Sequence, residues 1–214
     1  NSVVQVAAGG NHSLFIKEDG SLWTMGANGG GQLGDGTKKN RTAPVMVEAD
    51  GVIKVAAKGS HSLFIKEDGS LWTMGANSNG QNGDGTIQNR STPVRIVESG
   101  VIDIAAGAAH SHFIKDDGSL WSMGRNSAGQ LGDGTIATRR SFVRIVDANV
   151  TDVYTGGKTS FFVKTDGSLW ATGRNDYGQL GDGSTTNRST PVEVVDANVS
   201  AIAAGTYHSL YLKT

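Results

Sequence analysis

Histidine and serine stand side by side four times in this chain, as His12-Ser13, His61-Ser62, His110-Ser111 and His208-Ser209. A hydroxyl next to an imidazole could serve nucleophilic catalysis, and several imidazoles at a regular spacing could ring a metal ion. The first chemistry fails on geometry. Neighbouring residues of a strand point to opposite faces, so no such pair forms a nucleophile–base hydrogen bond within one unit. The second lacks companions, because the chain has no Cys and no clustered carboxylate beside these histidines. Recurrence at one position points instead to structural histidines, each buried and hydrogen-bonded to a neighbouring loop: His12, His61, His110 and His208. The expectation is no catalytic residue, no metal and no cofactor.

Other stretches invite chemistry and receive a plainer reading. Gly29-Gly30-Gly31 could cradle a phosphate, but no helix follows it. Gly30 to Thr37 matches one calcium-binding nonapeptide, yet such sites need tandem short repeats. Asp35 and Arg41 recur as Asp84 and Arg90, Asp133 and Arg139, and Asp182 and Arg188. They are expected to tie a loop down; if exposed, each pair contributes only ~0–1 kcal/mol. Asn-x-Ser/Thr occurs at Asn11, Asn40, Asn89, Asn149, Asn187 and Asn198, which chance explains in a chain whose loops are rich in Asn, Ser and Thr.

Composition narrows the classes further. The chain has 214 residues, with 31 Gly, 3 Pro and no Cys, so there is no disulfide framework and no thiolate zinc site. Lys plus Arg total 19 and Asp plus Glu total 20, so the net charge is -1 and offers nothing to draw nucleic acid or a membrane surface. No apolar run approaches the ~20 residues that span a bilayer, so no membrane insertion is expected. The chain starts at Asn1 rather than Met, so the expectation is a removed leader, a longer precursor or an artificially chosen start. Its compartment stays open, an extracellular or bacterial cell-surface setting included.

Positioning comes from a repeat. Trp23, Trp72, Trp121 and Trp170 are spaced by 49 residues, and His12 to Asn28 is identical to His61 to Asn77. Four units cover residues 3–51, 52–100, 101–149 and 150–198, and a partial fifth covers 199–214. Each unit reads as four strands. In the first these are Val4 to Gly9, Ser13 to Lys17, Leu22 to Met25, and Pro44 to Val47. Glu18-Asp19-Gly20-Ser21 is a hairpin turn, and a Gly-rich loop runs from Asn28 to Thr37. Pro at the start of the fourth strand suits an outer edge. No window has helical periodicity. The small Ala7-Ala8-Gly9 strand should lie innermost, with Phe15, Ile16, Leu22 and Trp23 filling the wedge further out.

These residues resemble a known repeat. Ala-Ala-Gly-x-x-His-Ser-Leu, then Asp-Gly-Ser-Leu-Trp-x-x-Gly-x-Asn-x-x-Gly-Gln-Leu-Gly-Asp-Gly-Thr, then Pro-Val, is similar to the regulator-of-chromosome-condensation repeat. Asn28 to Thr37 carries the likeness best and recurs near Asn77, Asn126 and Asn175. The resemblance implies an all-β fold, a β-propeller of four-stranded antiparallel blades, commonly closed as a ring of seven. It implies little about activity, because members range from a GTPase exchange factor to a secreted enzyme inhibitor. Departures are Asn82 for Leu, His112 for Leu, Phe142 for Pro and Thr159 for His. Four units and a third leave three readings open: a piece of a larger propeller, copies that associate to complete a ring, or a four-bladed ring. Exposed blade faces favour a homo-oligomer or edge-to-edge association.

Differences among units locate the variable surface. The second-to-third-strand turns barely change. Variation falls on Asn11, Ser60, Ala109, Lys158 and Tyr207 after the first strand, and on Asn79, Asp176 and Tyr177 in the long loop. Further along that loop it falls on Lys38, Lys39 and Gln88. In an up-and-down blade these connections emerge on one face, so the variable tips form one loop face on a rigid scaffold. Tyr177 and Tyr207 are its natural anchors. The reading is a non-catalytic scaffold for a protein partner. Its alternatives are a structural or self-assembling repeat module and a GTPase exchange factor-like protein.

Overall fold

The computed structural model describes residues 2–214, and its regular elements are all strands. The first sheet holds β1 (Val3–Ala8), β2 (His12–Lys17), β3 (Leu22–Gly26) and β4 (Arg41–Glu48). The second holds β5 (Val52–Lys58), β6 (His61–Lys66), β7 (Leu71–Gly75) and β8 (Arg90–Val97). The third holds β9 (Val101–Ala106), β10 (His110–Lys115), β11 (Leu120–Gly124) and β12 (Arg139–Val146). The fourth holds β13 (Val150–Thr155), β14 (Thr159–Lys164), β15 (Leu169–Gly173) and β16 (Arg188–Val195). Only β17 (Val199–Ala204) and β18 (Ser209–Lys213) form the last sheet. Each sheet is an antiparallel meander in chain order.

Local chemistry explains the hairpins. Gly20 takes a φ of 76°, while Asp19 Oδ1 accepts the Ser21 N–H at 3.0 Å and its hydroxyl at 2.6 Å. The same carboxylate–serine turn closes at Asp68, Asp117 and Asp166. Each turn serine then accepts the indole N–H of the following tryptophan at 2.8–2.9 Å. Phe15 sits opposite Trp23 across β2 and β3, with ring planes 3° apart. Phe64 with Trp72, Phe113 with Trp121 and Phe162 with Trp170 repeat the pair.

Strand limits differ modestly from the sequence reading. The second strand starts at the histidine, and the fourth is twice as long as expected, so Pro44 lies inside it. Its missing N–H is still tolerated, because β4 is an outer strand paired only with β3. The tryptophans are half-buried rather than deep fillers. One indole face stacks on Phe, while the Nζ of Lys17 or Lys164 lies over the Trp23 or Trp170 ring at 4.1 or 4.0 Å. Phe142 occupies the proline position by packing edge-on against Phe113 and Trp121, with centroids 5.5 and 5.6 Å away.

The core lies between sheets rather than within them. Leu14, Ile16 and Leu22 of the first sheet meet Val52, Val55, Phe64 and Met74 of the second. Leu63, Ile65 and Leu71 meet Val101, Ile104, Phe113 and Met123 in the next seam. Ile114 and Leu120 then meet Val150, Val153 and Phe162. Finally Phe161, Val163 and Leu169 meet Val199, Ile202 and Ala204. The first three sheets thus have a Leu/Ile face and a Phe/Met face, while the fourth turns Phe162 to one seam and Phe161, Val163 and Leu169 to the other. The strands β1, β5, β9, β13 and β17 line a central channel through Ala7, Ala56, Ala105, Thr155 and Ala204. Alanines stand where most sheets converge, as expected, but the fourth sheet brings Val153 and Tyr154 and the second brings Lys58 to the same lining. The outward faces of the first and last sheets are uncovered, with Val4, Val6, Leu210 and Leu212 60–73% exposed.

This asymmetry gives a stability test. Phe64→Ala removes a wholly buried ring and is expected to cost about 3–5 kcal/mol. Phe15→Ala, at the same repeat position on the uncovered face, is expected to cost clearly less. Urea unfolding measures both, and equal losses would contradict a core built from seams.

Candidate functional site

The four His-Ser pairs become one system once the sheets stand together. His12 Nε2 lies 2.8 Å from Ser62 Oγ, a serine of the next sheet, not from its own neighbour Ser13. His61 meets Ser111 at 2.9 Å and His110 meets Ser160 at 3.0 Å. Each serine donates its single hydroxyl proton to a loop carbonyl of the preceding sheet: Ser62 to Gln32, Ser111 to Gln81 and Ser160 to Gln130, at 2.8–2.9 Å. A carbonyl can only accept. The imidazole must therefore donate through Nε2–H, and the ring is the neutral tautomer with Nδ1 bare. That polarity is the reverse of a base activating a hydroxyl. The assembly bonds sheet to sheet.

The expected loop partner of the histidine is thus reached only through the serine. The fourth sheet has Thr159 in this place, and Ser209 bonds Gln179 O at 2.7 Å without a histidine. His208 differs from expectation, because it is exposed and no sheet among the described residues supplies its serine. Ser13 is the opposite half, with no preceding sheet to receive its proton. His112 joins the third seam, where its Nε2 lies 2.7 Å from Ser160 Oγ and its ring stands edge-on to His110 at 5.4 Å. The hydroxyl oxygen accepts both N–H groups.

The long loop is held by a second recurring device. Asn28 Nδ2 donates to Asp35 Oδ1 at 3.0 Å and to Thr37 O at 3.1 Å, while Asn28 Oδ1 accepts the Leu33 N–H at 3.0 Å. Asp35 Oδ2 accepts from Arg41 Nε at 2.5 Å. The clasp recurs around Asp84, Asp133 and Asp182. Burial alone would raise the Asp35 carboxyl, but hydrogen bonds from Thr37, Arg41 and Asn28 outweigh it and hold the group below its ordinary value. Asp182 is lowered to about 2 by the same contest. Asn40, Asn89 and Asn187 also work inside the loop, each accepting the N–H of Asn28, Asn77 or Asn175 at 2.6–2.9 Å. Asn82 replaces a buried Leu and donates to Gly75 O at 3.2 Å, leaving its own Oδ1 without a partner.

Clasped loops and first-strand tips share one end of the sheets. The carbonyls of Asn11, Ser60, Ala109 and Lys158 each accept a long-loop N–H at 2.8–2.9 Å, from Ala27, Ala76, Arg125 and Arg174. Asn11, Ser60, Lys38, Lys39, Gln88, Asp176, Tyr177 and Tyr207 are exposed there; Asn79 and Lys158 are half-buried. Tyr177 and Tyr207 come together edge-on, with centroids 5.5 Å apart. Arg174 lies over both rings at 5.5 and 5.6 Å and pairs with Asp176 at 2.5 Å. No contact among the described residues brings Lys38, Lys39 or Gln88 to this cluster.

Two residues of this face escaped the sequence reading. Arg174 replaces Ala27 and Ala76 of the earlier units, and Lys58 replaces a glycine found in the other four. For Lys58 the signal was a departure confined to one unit, whereas Arg174 shares its type with Arg125 of the third unit and stood out only against the first two.

Radial sheets around a channel, sealed seam by seam, define a β-propeller. The RCC1-like domain family matches residues 1–214 (WD40_RLD), and the chain belongs to that family. Over 40 residues it is 52% identical to the probable E3 ubiquitin-protein ligase HERC3 of Homo sapiens, covering 19% of this chain and 4% of that protein. Over 47 residues it is 40% identical to the RCC1 domain-containing protein RUG3, mitochondrial, of Arabidopsis thaliana, covering 22% and 11%. The crystal structure of human WBSCR16 superposes with a TM-score of 0.89 at 25% identity, covering 99% of this chain and 58% of that one. Yeast RCC1 (Prp20), solved bound to Kap60, gives 0.84 at 21%, covering 99% and 54%. The chain therefore spans well under two thirds of these relatives.

The seam histidines set an acid limit. Burial lowers His12 and His61 from 6.5 to about 4 and His112 to about 3, and it holds His110 well below the ordinary value. In the unfolded chain they take up protons near pH 6.5, so stability present above that pH is lost as pH falls toward 4. The clasp aspartates, held below their ordinary value, add to the loss only at the acid end, as pH approaches their unfolded pKa of about 3.9, so the decline above about pH 5 belongs to the histidines. Urea midpoints should fall steadily between pH 7 and pH 4. A flat profile would mean the rings are not buried neutral.

Proposed function

We propose that the chain is a non-catalytic scaffold that recognises a protein through its loop face. The observation that carries this reading is the Tyr177–Tyr207–Arg174 cluster, in which two exposed aromatics and a guanidinium meet on the face where the units differ. Such groups are enriched in interface anchors. The clasp and the seam relay keep that face rigid, so its loops vary without loss of the scaffold. The exchange-factor reading has no comparable observation behind it.

Photo-crosslinking residues placed at positions 79 and 88 of the loop face, and at 68 and 117 of the opposite turns, test the proposal in extract of the encoding organism. Discrete protein adducts are expected from the first pair only. Adducts from the turn positions alone would move recognition to the other face.

A second reading, edge-to-edge self-association, rests on the uncovered faces. His208 lacks its serine, Ser13 lacks its histidine and carbonyl, and Val6 and Leu210 are 73% and 68% exposed. These are the two halves of a seam the chain already makes internally. Sedimentation should show a mass that rises with concentration and falls to the monomer in Val6→Lys. A monomer at every concentration would remove this reading.

A further inference from the structure

The balanced net charge conceals a segregation. Eleven of the nineteen basic side chains, but five of the twenty acidic ones, lie in or beside the loop-face connections. The other eight basic and fifteen acidic residues belong to the strands and the opposite turns. Four of the five loop-face acids are the clasp aspartates, each already paired with arginine. The fifth, Asp176, pairs with Arg174.

Unpaired cations gather at the channel mouth. Lys58 crosses the axis from β5, and its Nζ donates to Thr155 O at 2.8 Å and to Ala204 O at 3.3 Å. Neither Lys58 nor Lys158 is in a salt bridge among the described residues, so Lys58 is a half-buried ammonium held only by carbonyls. Burial lowers its pKa, the mark of a charge without a counter-ion. A cavity of about 330 Å³ opens beside it, lined by Lys58, Lys158, Arg174 and Tyr207, with Ala108 and Gly157 behind. One side is cationic, the rest is apolar, and the cavity sits within reach of the tyrosine cluster.

We propose that this mouth receives a carboxylate side chain from an acidic loop of a protein partner, seated between Lys58, Lys158 and Arg174 against the Tyr207 ring. The proposal rests on the loop face being the recognition surface and adds the chemistry of what enters it. An anion there completes a charge the protein leaves open, and the cationic face steers an acidic surface toward it. A protein loop fits better than nucleic acid. Lys58, Lys158 and Arg174 converge on one pocket rather than tracking a line of phosphates, and the four clasp arginines of the rim are already paired.

Hexaglutamate peptide titrated calorimetrically into the full chain at low salt is the direct test, with hexalysine and a dodecamer of deoxyadenylate as comparisons. Hexaglutamate should bind, hexalysine should not, and Lys158→Glu and Lys58→Met should each weaken binding about tenfold or more. Lys39→Glu makes the same charge change as Lys158→Glu away from the mouth and should leave most of the affinity. Unchanged thermal unfolding keeps the variants comparable; should Lys58→Met unfold, Lys158→Glu carries the test alone. Equal weakening by Lys39→Glu and Lys158→Glu would reduce the effect to general charge and overturn the site. Tighter binding of the oligonucleotide, or self-association abolished by Lys158→Glu, would replace the protein loop with nucleic acid or a second copy. Crosslinks at positions 79 and 88 together with no hexaglutamate binding would overturn this inference and leave the recognition face standing.

Discussion

Each sheet of this protein is only half of a core, and the seam with the next sheet completes it. A four-stranded meander on its own exposes two apolar faces. Stacking one apolar face of a sheet on the facing side of the next buries both, at roughly 25 cal/mol per Å² of apolar surface removed from water. Apolar contact alone would allow sliding. The relay from imidazole to hydroxyl to loop carbonyl sets the register, because its three groups come from two sheets and each supplies what another lacks. A seam of this kind couples nearest neighbours, so stability accumulates along the chain. The channel, the clasped loops and the loop face inherit their positions from it.

The seam also explains why the loops are free to differ. Within each long loop, the Asn–Asp–Arg clasp satisfies its polar groups internally, and the Gln carbonyl beside it accepts the serine of the next sheet. Loop backbone is thereby part of the seam, while the side chains at its tips are not. Tyr177, Asn79 and Lys38 can change without touching a buried bond. The clasps have an electrostatic effect as well. They neutralise the arginines at the rim, so the cations left unpaired at the centre, Lys58 and Lys158, dominate the axis.

Much of this was legible in the sequence because it is local or periodic. The Asp-Gly-Ser turns, the innermost Ala-Ala strands and the Asp–Arg clasp all involve residues a few positions apart, and the 49-residue period displays them four times. The His–Ser relay was hidden for a physical reason. The partners are about 50 positions apart and come from different sheets, while adjacency along the strand pointed to a pair that never forms. The tryptophans misled through size: a large ring suggested deep filling, whereas the indole keeps one face for a lysine stem. His208 shows the limit of reasoning by recurrence. Its sequence position equals that of His12, but burial comes from a neighbouring sheet and not from the residue itself.

Lys58 links the packing of the sheets to the loop face. As a glycine in every other unit, its position normally leaves the channel open. As a lysine, it ties the second sheet to carbonyls of the fourth sheet and the last half-sheet across the axis. The seam to the last half-sheet has Thr159 in place of a histidine, and the Lys58 bond to Ala204 is a further link across the axis. One ammonium therefore both braces the arc and lines the cavity at the channel mouth, so a change at position 58 alters the two together.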